Sequence, residues 1–501
     1  MAITLNEIVS SARRRKITLE ATLAVVLFAV FAIFVLLTTH KYLEPDDYSY
    51  RAAIAALASG HIRLSGAQYT SLVNSLTSSG VLPSSGLHGA VGALGGGTPS
   101  AGSLPGLSGH GFGGGGSSWM LQWHKMATGY YMTEKNYGYV LLATPFYMLG
   151  ILNFAPLFYG GLAAFALYIA ASRWLGRRGG LFAVVLYLFS GLAITFAWRS
   201  TMETFTDASL IAIGVGLLIW VFLAKEKGQS QRLIIGALGF LALSMATFAR
   251  YTDLVALGVA FVAATIFAKR SQITRSTLFS WYAVAFVAMA GIALFDRWAY
   301  GAFTSTGYTT GVITFSLSSI WPNLTKVLPQ VIIALPASLL ALAAIGYVLR
   351  VFLFSRANNG EDSKVSVGQD LAIVLSLGAA WFGFWLVYLA YNWTVNQAGA
   401  PLHVVRFYVP GIAFVALLGA FTLSKMPKTV SHVVAVVVMA LAFISYYHLT
   451  GGSTHGLGGG APQGPFGRGA GSGVIPDQGG PLSGALPPGG GPGGGSAGGL
   501  G

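Results

Sequence analysis

The feature that most constrains this chain is a series of apolar runs of membrane-spanning length. They begin near Ala21, Ala155, Leu181, Ala208, Leu233, Leu254, Thr277, Val331, Leu371, Phe407 and Val430. A helix that crosses a bilayer needs about 20 mostly apolar residues. Several runs fall slightly short, so their ends are expected to extend into flanking aromatic and polar residues. Gly, Ala and Ser are mixed among the large side chains, which suits close helix–helix contact in lipid. Only 9% of the 501 residues are charged, against about 25% in ordinary soluble domains. A water-soluble surface could not be covered with so few charges. The expected fold is therefore an all-α integral membrane protein with about eleven transmembrane helices. A further stretch, Tyr139 to Phe154, is amphipathic and holds Pro145; it reads as a juxtamembrane or half-inserted helix. The run Ala21 to Leu37 follows Arg13-Arg14-Arg15-Lys16, and no A-x-A-like cleavage site comes directly after it. It is read as a retained first helix rather than a signal peptide.

Basic residues orient the chain. With the N-terminus in the cytoplasm, the inner segments carry 18 of the 29 Lys and Arg residues, in short clusters such as Arg173/Arg177/Arg178 and Lys269/Arg270/Arg275. Counting Tyr139 to Phe154 as a full span would turn every later cluster outward. The net charge of +14 thus lies in membrane-flanking clusters and does not point to nucleic acid. Cysteine is absent, which excludes disulfides, thiolate nucleophiles and Cys-based zinc sites. No Walker or dinucleotide motif occurs.

Residues 1–450 form the polytopic unit. Its first outer loop, 39–154, contains a Gly/Ser/Pro/Leu-rich insert at 79–118, and a Gly/Pro-rich tail follows at 451–501. Insert and tail lack the apolar payload that offsets ordering entropy, and both are expected to be disordered.

Directly after the first helix comes Leu43-Glu44-Pro45-Asp46-Asp47-Tyr48. Adjacent carboxylates repel, so one can serve as a base, or the pair can share a divalent cation through hard oxygen ligands. The alternative is a solvated acidic cap at the membrane exit. Tyr50 to His61 reads as an amphipathic helix closed by Gly60. An aromatic stretch, Trp119 to Lys135, leads into Lys135-Asn136-Tyr137-Gly138-Tyr139-Val140-Leu141-Leu142-Ala143-Thr144-Pro145.

This order of motifs resembles the GT-C superfamily of membrane glycosyltransferases, including the protein O-mannosyltransferase and aminoarabinose-transferase types. Asn136 and Tyr137 stand where the family has paired prolines. Further stretches resemble family segments in the same order: Trp198-Arg199 to Asp207, Phe248-Ala249-Arg250-Tyr251-Thr252-Asp253, Asp296 to Tyr308, and Arg406-Phe407-Tyr408-Val409-Pro410. The resemblance implies a sugar donor on polyprenyl phosphate and an acceptor hydroxyl on a protein, lipid or glycan. The reaction would take place at the outer face of a multi-pass cell-membrane protein whose tail is also outside. It places the catalytic base on Asp46 or Asp47, with Asp47 the closer match because it adjoins Tyr48, and a divalent cation, if used, on the same pair. Substrate-binding positions would be Glu44, Tyr48, Lys135, Tyr137, Glu203, Arg250, Tyr308 and Arg406.

Each of these residues has a simpler reading. Asp207 suits a helix N-cap. Arg250 either pairs with Asp253 or holds a lipid phosphate, and Arg406 either faces the phosphate or anchors the interface. His124 reads first as a solvated loop residue. Asn323 and Asn392 lie in outward-facing sequons. A secondary transporter is the alternative function, although such proteins usually show repeats and ionisable residues near the midplane; a non-catalytic scaffold is a weaker third.

Overall fold

The computed structural model describes residues 22–38, 45–79, 121–126, 128–224, 226–303, 315–355, 361–396 and 401–450. Most of the insert and all of the tail lie outside these residues. The described part of the first helix, α1 (Thr22–Leu37), is apolar and shorter than a full span. The cap that follows contains α2 (Pro45–Ala58), α3 (Gly66–Ser78), the antiparallel pair β1 (Trp123–Lys125) and β2 (Tyr131–Thr133), and α4 (Tyr137–Met148). The membrane body holds α5 (Ala155–Leu188), α6 (Gly191–Phe196), α7 (Thr204–Leu223), α8 (Gln229–Ala249), α9 (Leu254–Arg270), α10 (Arg275–Tyr300), α11 (Ile320–Ala334), α12 (Ser338–Ser355) and α13 (Glu361–Leu389). Two short turns of helix, α14 (Asn392–Asn396) and α15 (Pro401–Val405), precede α16 (Ile412–Lys425) and α17 (Lys428–Leu449).

Among the described residues, eight helical segments are long and apolar enough to cross a membrane, and nine if α11 and α12 count as one span bent by 99°. The sequence reading of about eleven is reached differently at two places. The described part of α1 is shorter than a span, and α5 holds two of the expected runs as two arms. Gly176 breaks α5 with φ 77° and ψ 169°, a left-handed conformation that glycine adopts at little cost. A Cβ on Gly180 would lie 2.9 Å from the carbonyl oxygen of Tyr168. Twelve residues of straight helix would separate these positions by about 18 Å. The two arms, 155–175 and 177–188, therefore fold back on each other, with Arg173, Arg177 and Arg178 at the turn. Pro336 lies in the break between α11 and α12, since proline can neither donate to nor continue a helix.

Burial separates centre from periphery. The segment Leu402–Lys425, which ends in α16, and α7 are the most enclosed spans, with 89% and 78% of their apolar windows buried, whereas α10 has 17%. Phe279, Phe286, Val287 and Leu294 of α10 are exposed, a row that would be untenable against water but is matched to lipid. Small residues bring the central helices together. A Cβ on Gly216 of α7 would sit 2.8 Å from backbone atoms of Ala166 in α5, so only glycine permits that approach.

The basic turns meet at one end of this bundle. Arg173 pairs with Glu226, and Asp370 receives Trp174 Nε1 at 2.9 Å and Lys425 Nζ at 3.1 Å. Arg232, fully buried, donates to the carbonyls of Ala224 (2.7 Å) and Ser271 (2.6 Å). The cap covers the other end. A second apolar cluster there joins α2, α3, β1, β2 and α4 to Phe248 and Ala249 of α8 and Ile292 of α10. Tyr69 and Tyr131 stack at 4.4 Å within it.

Two local readings are corrected. The expected amphipathic helix at 50–61 begins at Pro45 and is buried on most sides: Ala52, Ala53, Ile54, Ala55 and Ala56 are all inside. Gly60, at φ 81°, does close it. Asn323 is not an open sequon. It is fully buried, and its amide donates to the carbonyls of Leu389 (2.8 Å) and Tyr391 (3.0 Å) while Thr394 Oγ1 donates to its carbonyl at 2.9 Å.

Candidate active site

Pro45 starts α2 at a position where its missing N–H costs nothing, and this puts Asp46 and Asp47 in the first turn. Carboxylates are favoured there by the unsatisfied N–H groups of the helix. The two side chains then diverge. Asp47 is buried and accepts from Arg199 and from Thr201 Oγ1 at 2.8 Å. Asp46 keeps 15% side-chain exposure and meets two other cations. Lys135 Nζ lies 2.9 Å from Oδ1 and Arg406 Nη1 2.8 Å from Oδ2.

Each cation is set in place by its own neighbours. Lys135 follows β2, where Ser49 of α2 shares a 2.8 Å hydrogen bond with Thr133 and the Lys135 amide donates to Thr133 Oγ1 at 3.1 Å. Tyr300 of α10 donates to the carbonyl of Thr133 at 3.2 Å. Gly138 allows the start of α4 to press against the end of α8: a Cβ there would lie 2.5 Å from the carbonyl carbon of Phe248 and 2.8 Å from Ala249 Cα. Asn136 donates across the same contact to the Ala249 carbonyl at 3.1 Å. Arg406 opens the 3-10 segment Arg406–Gly411 and lies over the rings of Trp393 and Phe407, at 5.2 and 5.1 Å. A guanidinium over aromatic faces is held without being neutralised.

Arg250 terminates α8 beside them. It donates to the Arg406 carbonyl at 3.4 Å and lies 3.7 Å from Glu203 and 3.9 Å from Asp207. Burial opposes its charge, but Tyr388 and the carboxylates of Glu203, Asp207 and Asp253 outweigh burial and hold its pKa above the usual arginine value. The expected partner Asp253 thus acts through charge, and the ion pairs go to Glu203 and Asp207. Asp207 is not an N-cap: α7 begins at Thr204, so Asp207 lies inside its first turn, fully buried.

Of the other expected site residues, Tyr137 is buried and donates to the carbonyl of Ile62 at 2.8 Å, which ties α4 to the loop after α2. Burial raises its pKa. Tyr48 is partly buried, its pKa raised by burial and then by Asp47. Both phenols therefore remain protonated hydrogen-bond donors. Glu44 and Tyr308 lie outside the described residues.

Some groups escaped the sequence reading. Arg199 was legible only as part of a stretch flanked by Trp198. Its burial beside Asp47 depends on a contact across 152 residues. His124 is no simple loop residue, because its Nε2 lies 3.1 Å from Glu134 Oε2, and Glu134 Oε1 lies 3.2 Å from Lys135 Nζ.

Four distant segments of chain thus deliver one carboxylate between two cations, with a third cation behind. The chain is similar to ArnT from Cupriavidus metallidurans. With the structure bound to undecaprenyl phosphate, identity is 14% and the TM-score 0.42, over 62% of this chain and 53% of ArnT. It is also similar to the Archaeoglobus fulgidus oligosaccharyltransferase AglB, solved with an inhibitory peptide and a dolichol-phosphate, at 12% identity and TM-score 0.37 over 67% of this chain and 49% of AglB. The chain spans about half the length of these two proteins. No protein-family model and no curated protein matches it.

Another structure of the Archaeoglobus fulgidus enzyme holds Zn. A hard divalent cation asks for several converging oxygens. Here Asp46 and Asp47 turn their oxygens toward different cations, and among the described residues no three His, Asp or Glu side chains gather in a metal-holding group. The residues present do not fit a cation shared by Asp46 and Asp47.

Proposed function

We propose that this chain is a glycosyltransferase that moves a sugar from a polyprenyl-phosphate carrier to an acceptor hydroxyl. One observation carries the reading: Asp46, partly exposed, is gripped by Lys135 and Arg406 at the cap end of a membrane bundle. A carboxylate serves as general base, and fixed cations beside it stabilise the charge that develops on a departing phosphate. Asp46 would take the acceptor proton while the hydroxyl oxygen attacks the anomeric carbon, with inversion, and the C–O bond to phosphate breaks. Arg406 and Lys135 would receive the phosphate. Arg250 is surrounded by carboxylates and supports Arg406 through its carbonyl. The sequence resemblance favours Asp47 as base, but burial against Arg199 and Thr201 suits it to holding α2 in place. Tyr137 fits a positioning role for the same reason, and Glu203 one through its ion pair with Arg250.

The basic turns at the opposite end orient the chain by the positive-inside rule. The N-terminus would lie in the cytoplasm, and the Asp46 end and the tail outside. A lipid-linked donor would then reach the site from the outer leaflet of a cell membrane.

The test is sugar transfer from labelled polyprenyl-phosphate sugars by membranes containing the wild type or Asp46→Asn. The expected result is transfer by the wild type and a loss of at least about 100-fold in the variant, the lower range for a general base. Undiminished transfer by Asp46→Asn would overturn the assignment.

A further inference from the structure

The hydrogen bonds at the site continue past Asp46 to the surface of the cap. Lys135 Nζ touches Asp46 Oδ1 at 2.9 Å on one side and Glu134 Oε1 at 3.2 Å on the other. Glu134 Oε2 lies 3.1 Å from His124 Nε2. Side-chain exposure along this line is 15% at Asp46, 3% at Lys135, 7% at Glu134 and 18% at His124, so the two ends reach solvent-accessible space and the middle does not. The strand pair fixes its geometry. His124 lies opposite Met132, two residues before Glu134, and the Glu134 amide donates to the Gln122 carbonyl at 2.9 Å. A salt bridge built only to hold Lys135 would be complete with Asp46 and Glu134. The histidine adds a group that accepts a proton at one ring nitrogen and releases one at the other.

We infer that His124 and Glu134 form a proton exit from the catalytic base, a role that rests on the glycosyl-transfer reading. The acceptor O–H breaks as Asp46 takes the proton. Protonated Asp46 passes it to Lys135 while the ammonium gives one of its own to Glu134. At rest His124 Nε2–H donates to the Glu134 carboxylate; exchange with water moves the ring to its Nδ1–H tautomer, the Glu134 carboxyl turns about its Cγ–Cδ bond and delivers the proton to the bared Nε2, and Nδ1 releases its hydrogen to water, which restores the Nε2–H tautomer. Every group ends in its starting charge state, and Asp46 is an anion again for the next turnover. His124 touches no substrate; it is a relay residue.

The experiment compares steady-state sugar transfer by the wild type, His124→Gln and Glu134→Gln. Glutamine keeps a polar side chain in place of the histidine but does not carry a proton. His124→Gln is expected to lower kcat about 10-fold, a fraction of the roughly 10²–10⁴-fold of a direct acid–base step, with KM for the donor unchanged. Added imidazole should restore the rate, and more basic methylimidazoles should restore it further; a purely structural defect would not follow base strength. Glu134→Gln, which interrupts the line upstream of the histidine, should lose rate without rescue. Wild-type kcat in His124→Gln, or a loss that no imidazole restores in proportion to its basicity, overturns the relay and leaves the transferase reading standing. A wild type that transfers no sugar overturns both.

Discussion

Gly138 is the point where a single methyl group should disable the site from a distance. Its hypothetical Cβ falls 2.5 Å from the carbonyl carbon of Phe248 and 2.8 Å from Ala249 Cα. Carbon atoms in contact rest about 3.5–4.0 Å apart, so Gly138→Ala is short by about 1 Å. Both obstacles are backbone atoms, and no rotamer change relieves them. The start of α4 must therefore part from the end of α8. Overpacking of this kind costs about 1–3 kcal/mol. The functional cost is larger, because Lys135 lies three residues before Gly138 and Arg250 one residue after Ala249. A shift of about 1 Å in reacting groups can cost on the order of 10²-fold in rate. The assay is kcat for sugar transfer together with thermal unfolding in detergent, with Gly258→Ala as control, since a Cβ at Gly258 in α9 meets nothing within 4 Å. The control should be neutral or slightly stabilising. A Gly138→Ala protein with wild-type rate and stability would show that the α4–α8 contact does not set the position of Lys135.

Arg199 and Asp47 are both buried, so Arg199→Met should destabilise the protein by about 3–5 kcal/mol, and Asp47→Leu combined with it should recover much of that loss; additive single effects in denaturant unfolding would refute the pairing. Arg232→Met removes three hydrogen bonds to the carbonyls of Ala224 and Ser271 at the basic end, and should cost about 2–4 kcal/mol with kcat unchanged in the surviving fraction. Asn323→Asp places a carboxylate against the carbonyls of Leu389 and Tyr391 and should lower stability by at least about 1–3 kcal/mol, read as a lower unfolding temperature, while Asn392→Asp at the exposed first residue of α14 should not.

The membrane fold was legible because apolar runs and basic turns are local properties of the chain. Every run starting from Ala155 to Val430 falls on a helix of the body, and the basic turns meet at one end. The span count was harder to read, since Gly176 folds two runs back on each other within α5 and Pro336 lies where another bends by 99°. Asp46, Lys135, Arg250 and Arg406 were legible as motif residues but not as a set, because no spacing rule joins positions 360 residues apart. Arg199 and His124 were hidden for a different reason. An arginine before a span and a histidine in a loop carry the same sequence signal whether they are solvated or buried against a carboxylate. Only the packing of α2 within the cap decides, and it gives Asp46 and Asp47 different surroundings. The carboxylate next to Tyr48 fits the motif better, yet it is the one taken up by internal structure.

The arrangement around Asp46 has a consequence for donor binding that separates a base from a mere anchor. Lys135 and Arg406 are the groups a phosphate would use, and Asp46 occupies both of them. A donor phosphate must compete with a resident carboxylate, the proposed base, which returns to Lys135 as the phosphate product leaves. Asp46→Asn removes the competing charge while keeping the side chain's size. Hydrogen bonds to charged groups are worth about 1.5–3 kcal/mol, and the two cations share theirs between carboxylate and phosphate. Donor affinity should therefore rise by on the order of 10-fold in the same variant that has lost transfer. Equilibrium binding of a labelled polyprenyl phosphate to wild type and Asp46→Asn in detergent measures it. Weaker binding in the variant would mean that Asp46 organises Lys135 and Arg406 for the phosphate instead of competing with it, and the gain of a free base on donor entry would have to be abandoned.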